Sequence, residues 1–117
     1  MKICVFGLGY VGTTTSVCLA ELGFEVVGVD TNEEKVALAN AGKSPIQENG
    51  VEELLQKALK NGKFLGSSST IEALQTADIA LICVGTPSGN SGELDLQQIT
   101  SVTAEIAEYL KNIDAQK

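Results

Sequence analysis

Apolar residues along this chain follow two rhythms. Continuous β-rich runs at Lys2–Phe6 (KICVF), Glu25–Val29 (EVVGV) and Ile79–Val84 (IALICV) predict strands, with a weaker and shorter one at Phe64–Ser69. Between them the spacing is helical. Val11–Leu22 places Val11, Val17, Cys18, Leu19 and Leu22 on roughly one face and stops at Gly23, a C-terminal cap. Asn32–Ala41 opens with acids in its first turn and ends at Gly42. Val51–Asn61 is an amphipathic helix closed by Gly62, and Ile71–Thr76 is a short one. Leu96–Lys111 carries Ile99, Val102, Ile106 and Leu110 as one stripe. The stretches KSPIQENG and GTPSGNSGELD lack either rhythm and read as loops.

The order is β-α-β-α-α-β-α-β-α. Strands that alternate with helices imply a parallel sheet with right-handed crossovers. The unbroken runs KICVF and IALICV suit strands covered on both faces. No internal repeat or linker interrupts the series.

Between the first strand and the first helix stands FGLGYVG, with Gly7, Gly9 and Gly12. A glycine pattern alone is weak, because tight turns also use glycine. Its setting is specific: a strand precedes it, a helix follows, and a second strand ends in Asp30, eighteen residues after Gly12. That is the dinucleotide-binding fingerprint. Gly7 allows the turn off the strand, Gly9 lets a pyrophosphate approach the backbone, and Gly12 permits close helix packing. The helix N-terminus supplies N–H groups and a positive dipole end, so no basic residue is needed there. Asp30 has a bland alternative as a turn or capping residue. With the glycines in place, adenosine ribose binding is the favoured role, and the carboxylate predicts NAD over NADP. Lys35, one turn into the next helix, either reaches the same region or lies on a solvated face. The fold class is therefore α/β, a Rossmann-type doubly wound parallel sheet of about four strands in the order 3-2-1-4. A complete fold of this type has six strands, so this one is expected to be incomplete. The last strand, Ile79–Val84, would then be an apolar edge open to self-association.

Composition narrows the partners. The 117 residues are 44% apolar and 20% charged, enough for a core and unlike a disordered chain. A net charge of −7 with no basic stripe argues against nucleic acid and anionic membranes. With no histidine, a zinc site or a His-based triad is nearly excluded. Cys4, Cys18 and Cys83 sit in apolar runs without C-x-x-C spacing and are expected to be buried, reduced thiols. No run is long enough to span a bilayer, and the early glycines do not suit a signal peptide, so a cytoplasmic setting is the default.

FGLGYVG, VVGVD, GKSPIQENG, ICVGTPS and GELDL occur in this order along nearly the whole chain. Together they resemble the N-terminal NAD-binding domain of the UDP-glucose/GDP-mannose dehydrogenase family. ICVGTPS and GELDL look closer to its GDP-mannose members. One departure is visible: the family commonly has E-P-G where this chain has Glu48-Asn49-Gly50. The resemblance implies that Tyr10 and Val11 contact the cofactor, that Asp30 binds adenosine ribose, and that Lys35 also touches the cofactor. It places Thr86 beside the cofactor at the end of the fourth strand; the alternative for Thr86-Pro87 is an ordinary strand-ending turn.

Family members are several hundred residues long and oxidise a sugar-nucleotide primary alcohol twice, giving a uronic acid and two NADH. The resemblance implies a cysteine nucleophile with lysine and asparagine partners, none of them matched here, so no catalytic residue is assigned. Residues 1–117 are expected to form a truncated N-terminal domain, with the central and C-terminal sugar-nucleotide domains outside it. Two other readings compete. A small dinucleotide-sensing regulatory module would share the glycines but needs neither the K-S-P-I loop nor C-V-G-T-P. A complete short dehydrogenase would need a Tyr-x-x-x-Lys pair, whereas Tyr109 is followed four residues later by Ile113.

Overall fold

The computed structural model describes residues 1–83 and 97–115. Its elements are β1 (Lys2–Phe6), α1 (Tyr10–Glu21), β2 (Glu25–Val29), α2 (Glu33–Asn40), α3 (Val51–Lys60), β3 (Phe64–Ser67), α4 (Thr70–Thr76), β4 (Ile79–Ile82) and α5 (Gln97–Ala115). The four strands are parallel and ordered β3-β2-β1-β4. Phe6, the last residue of β1, pairs with Val29 on one side and Ile82 on the other, so three strand ends are level at the top of the sheet. The loop expected at 85–95, with Thr86, lies outside the described residues.

Alternation along β1 and β2 separates two cores. Ile3, Val5 and Val26 face the side where α1, α2 and α3 contribute Val17, Ala20, Ala39, Leu55 and Ala58. Cys4, Phe6 and Val29 face the other side, where Ala73 of α4 and Val102 and Ile106 of α5 cover them. The helices thus divide between both faces, as a doubly wound sheet requires. β1 is buried from Ile3 to Phe6, as a central strand should be.

Four expectations need correction. The strand expected over Ile79–Val84 ends at Ile82 and is not covered: Ile79 and Ile82 stay 41% and 43% exposed. It pairs with β1 alone among the described residues, which is the edge position that the order 3-2-1-4 implies; what fails is the expectation of cover on both faces. The buried face of α1 is not the one its larger apolar residues mark. Gly12, Thr13, Ser16, Val17 and Ala20 are buried, while Val11, Cys18 and Leu22 point to solvent. The sheet side of α1 holds mainly small residues, and close approach of helix to strand selects size ahead of hydrophobicity. Cys18 is accordingly exposed and Cys83 half-buried, and of the three thiols only Cys4 is fully enclosed. Leu110, placed on the apolar stripe of α5, is exposed, because the cover that α5 gives the sheet is made by Val102 and Ile106.

The loop between α2 and α3 is pinned by local bonds. The Ser44 N–H donates to Glu52 Oε1 (3.0 Å) and Gln56 Nε2 donates to the Gly42 carbonyl (3.1 Å). Ile46 is buried in the core on the α3 side. Gly50, at φ 83°, turns the chain into α3.

Candidate functional site

The top of the sheet brings the glycine turn and the end of β2 together. The Gly7 N–H donates to the Val29 carbonyl (2.7 Å), which extends the β1–β2 ladder by one residue. Gly7 then adopts φ 107°, a conformation that side chains resist. Leu8 is fully buried, its side chain packed over Gly28 of β2. A Cβ at Gly28 would stand 2.8 Å from Leu8 Cδ2 and 3.0 Å from the Phe64 ring.

Gly9 is the N-cap of α1 and makes no side-chain cap; the Thr13 N–H donates to its carbonyl (2.9 Å). The first-turn N–H groups therefore have no intrahelical acceptor, and no acid stands in that turn. At φ −81° and ψ −160° any residue fits Gly9, and a Cβ there would meet nothing within 4 Å. Neither backbone nor packing among the described residues requires glycine at this position. Gly12 is the opposite case, since its Cβ would overlap the Gly7 carbonyl oxygen. Cys83, just past β4, is the next neighbour, 3.5 Å from where that Cβ would be. Its N–H donates to the Phe6 carbonyl (2.7 Å), and burial raises its thiol pKa.

Asp30 follows β2 at the same end. Its Oδ2 accepts the Leu8 N–H (2.8 Å) and its Oδ1 accepts the Asn32 N–H (2.8 Å). A carboxylate offers about four acceptor positions, so one per oxygen remains open among the described residues. Asn32 in turn caps α2, accepting the N–H groups of Glu34 and Lys35. Lys35 is half-buried and its ammonium has no ion-pair partner among the described residues. Tyr10 and Val11 are 59% and 66% exposed in the first turn of α1. Gly7, Gly9, Tyr10, Val11, Gly12 and Asp30 thus converge at one end of the sheet, with Lys35 in the first turn of the helix that follows; Thr86 lies outside the described residues. The chemistry on offer is a helix N-terminus whose first N–H groups have no intrahelical acceptor, beside one carboxylate, suited to a diphosphate joined to a diol. The residue missed from sequence alone is Leu8, which lies inside the motif but whose N–H gave no signal in the glycine spacing.

Elsewhere, a cavity of about 270 Å³ opens among Lys2, Glu25, Lys63 and Leu65. It lies at the N-terminal ends of the strands, the end where open α/β sheets do not bind ligands. Among the described residues no cluster of three metal-ligating side chains occurs, and no helix is long and apolar enough to cross a membrane.

The family model for the UDP-glucose/GDP-mannose dehydrogenase NAD-binding domain matches residues 1–115. The chain belongs to this family, as its NAD-binding domain. GDP-mannose 6-dehydrogenase of Pseudomonas syringae pv. syringae is 50% identical over 112 residues, which is 96% of this chain and 26% of that protein. UDP-glucose 6-dehydrogenase of Pseudomonas aeruginosa is 37% identical, over 95% of this chain and 24% of its own. A solved ternary complex of GDP-mannose dehydrogenase from Pseudomonas aeruginosa superposes with a TM-score of 0.91 at 45% identity, covering 94% of this chain and 25% of that one. The chain spans about a quarter of the length of the curated relatives it matches.

Proposed function

We propose that this chain is the cofactor-holding portion of an NAD-dependent nucleotide-sugar dehydrogenase of the GDP-mannose 6-dehydrogenase or UDP-glucose 6-dehydrogenase type. The observation that carries this is Gly9: it is glycine, nothing among the described residues needs it to be, and it stands at a helix N-terminus with no side-chain cap. A diphosphate seated there would use backbone donors and the helix dipole and would collide with any Cβ. The open acceptor positions of Asp30 would take the adenosine ribose hydroxyls and repel a 2′-phosphate, so NAD is preferred over NADP. Tyr10 and Val11 would line the cofactor, Lys35 would approach it from α2, and Thr86 would meet it from beyond β4.

The whole enzyme would oxidise the sugar C6 alcohol in two steps to a uronic acid. The bound cofactor supplies the hydride acceptor. This chain binds and orients, and no catalytic role is assigned to its residues. The central and C-terminal sugar-nucleotide domains supply the rest of the site. A cytoplasmic setting fits a chain whose cysteines are unpaired. The apolar edge at Ile79 and Ile82 supports self-association of the chain on its own; a monomer mass unchanged by concentration in sedimentation would remove that idea.

Thermal unfolding with added NAD or NADP tests the binding. A ligand selective for the folded state stabilises it by about 2.7 kcal/mol at a hundredfold excess over Kd. NAD should raise Tm more than NADP, and Asp30→Ala should abolish the difference. No shift with either cofactor at millimolar levels would refute binding by this chain alone.

A further inference from the structure

The Asp30 carboxylate is already engaged before any ligand is considered. Oδ2 holds the Leu8 N–H at 2.8 Å across 22 residues of sequence, and Oδ1 holds the Asn32 N–H at 2.8 Å. Leu8 stands between Gly7, at φ 107°, and Gly9, the N-cap of α1. Its N–H belongs neither to the sheet ladder nor to the helix, so Asp30 is the acceptor that satisfies it. Its side chain is fully buried over Gly28, so Leu8 is held at both its side chain and its amide. Glycine flanks it on both sides, and glycine gives the backbone the most freedom to lose. A hydrogen bond to an ionised carboxylate is about twice as strong as one between neutral groups, so this bond at the centre of the turn restrains it.

We propose that Asp30 is a positioning residue for the glycine turn: through the Leu8 N–H it fixes the turn in the shape that receives a diphosphate, separately from any contact with ribose. The proposal rests on the reading of this turn as a diphosphate cradle. It makes Asp30 matter even to a ligand that has no hydroxyl groups for it to bind.

The test compares adenosine diphosphate with its dideoxy analogue, which lacks both ribose hydroxyls, on the 117-residue chain and its Asp30→Ala variant. If Asp30 only binds ribose, the variant holds the dideoxy ligand as well as the wild type does, and the proposal fails. If Asp30 sets the turn, the dideoxy ligand weakens by about tenfold, the worth of one charge-assisted hydrogen bond. Amide hydrogen exchange without ligand provides a second readout. The Leu8 amide should exchange about tenfold faster in Asp30→Ala, while the Cys83 amide, bonded to Phe6 in the sheet, keeps its wild-type rate. An unchanged Leu8 rate overturns the proposal. Asp30→Asn covers the case in which the alanine variant does not fold. With one acceptor oxygen in place of two, it should speed exchange of either Leu8 or Asn32, and no change at both amides overturns the proposal. Should the wild type bind neither nucleotide, cofactor binding by this chain fails while the Leu8 exchange still decides the role of Asp30.

Discussion

Gly9 and Gly12 stand three residues apart in one motif and are glycine for unrelated reasons. A Cβ at Gly12 runs into the Gly7 carbonyl, a backbone group that cannot step aside. Gly12→Ala should therefore cost about 3 kcal/mol or more of stability, seen in denaturant unfolding. A Cβ at Gly9 meets nothing within 4 Å among the described residues. Gly9→Ala should leave the unfolding midpoint nearly unchanged and yet remove the Tm shift with NAD; a Gly9→Ala chain that binds NAD normally would contradict the cradle. Buried hydroxyls on α1 raise a different matter. Thr13 Oγ1 and Ser16 Oγ are enclosed with no hydrogen-bond partner among the described residues. An unpaired buried polar group costs free energy, so Ser16→Ala should gain about 1 kcal/mol in the same unfolding measurement. Small side chains are needed there for close packing, and serine meets the size requirement at the expense of a stranded hydroxyl.

At the scale of elements, the two edges of the sheet are finished differently. On the β3 edge, Asn40 at the end of α2 acts as a one-residue substitute strand. Its Nδ2 donates to the Gly66 carbonyl (3.0 Å) and its Oδ1 accepts the Gly66 N–H (2.8 Å). The pair satisfies both outward backbone groups of Gly66, and a short edge closed in this way does not invite further strands. Asn40→Ala should lower stability by about 1–3 kcal/mol by stranding those groups. Asn40→Asp, which keeps one acceptor and loses the donor, should recover only part of it; equal stability of all three chains by denaturant midpoint would show that water replaces the clasp. The β4 edge has no such device among the described residues. Sequence periodicity found every described element to within a few residues, because each pattern is local. It did not find the Asn40 clasp, which joins residues 26 apart.

Over the whole molecule, burial of β1 couples stability to alkaline pH. Cys4 sits fully enclosed under α4 and α5, and burial pushes its thiol from 9.0 up to about 12. The folded state thus keeps a proton that the unfolded chain gives up first. Its contribution is complete below pH 9.0 and is lost as pH rises toward about 12. The slope should be about 1.4 kcal/mol per pH unit in that window. Cys4→Ala, though less stable at neutral pH, should show a shallower alkaline decline; parallel profiles for the two chains would assign the decline to other groups. Native thiol labelling gives the same ranking directly, with Cys18 reacting first and Cys4 only on unfolding.

The order of strands and helices, the parallel sheet, the glycine turn and the acid at the end of β2 were all determined by the sequence. Each depends on local spacing or on residue types with few conformational options, such as Gly7 at positive φ. Tertiary structure alone decided which side of α1 is buried, that Cys18 faces solvent, and that Asp30 holds Leu8. Two physical reasons account for these. Hydrophobicity along a helix ranks faces by apolarity, but a helix pressed close against a sheet is turned by size, and small residues won over Val11 and Leu22. A hydrogen bond between residues 22 apart exists only once β1 and β2 lie side by side, and nothing in either segment encodes it separately.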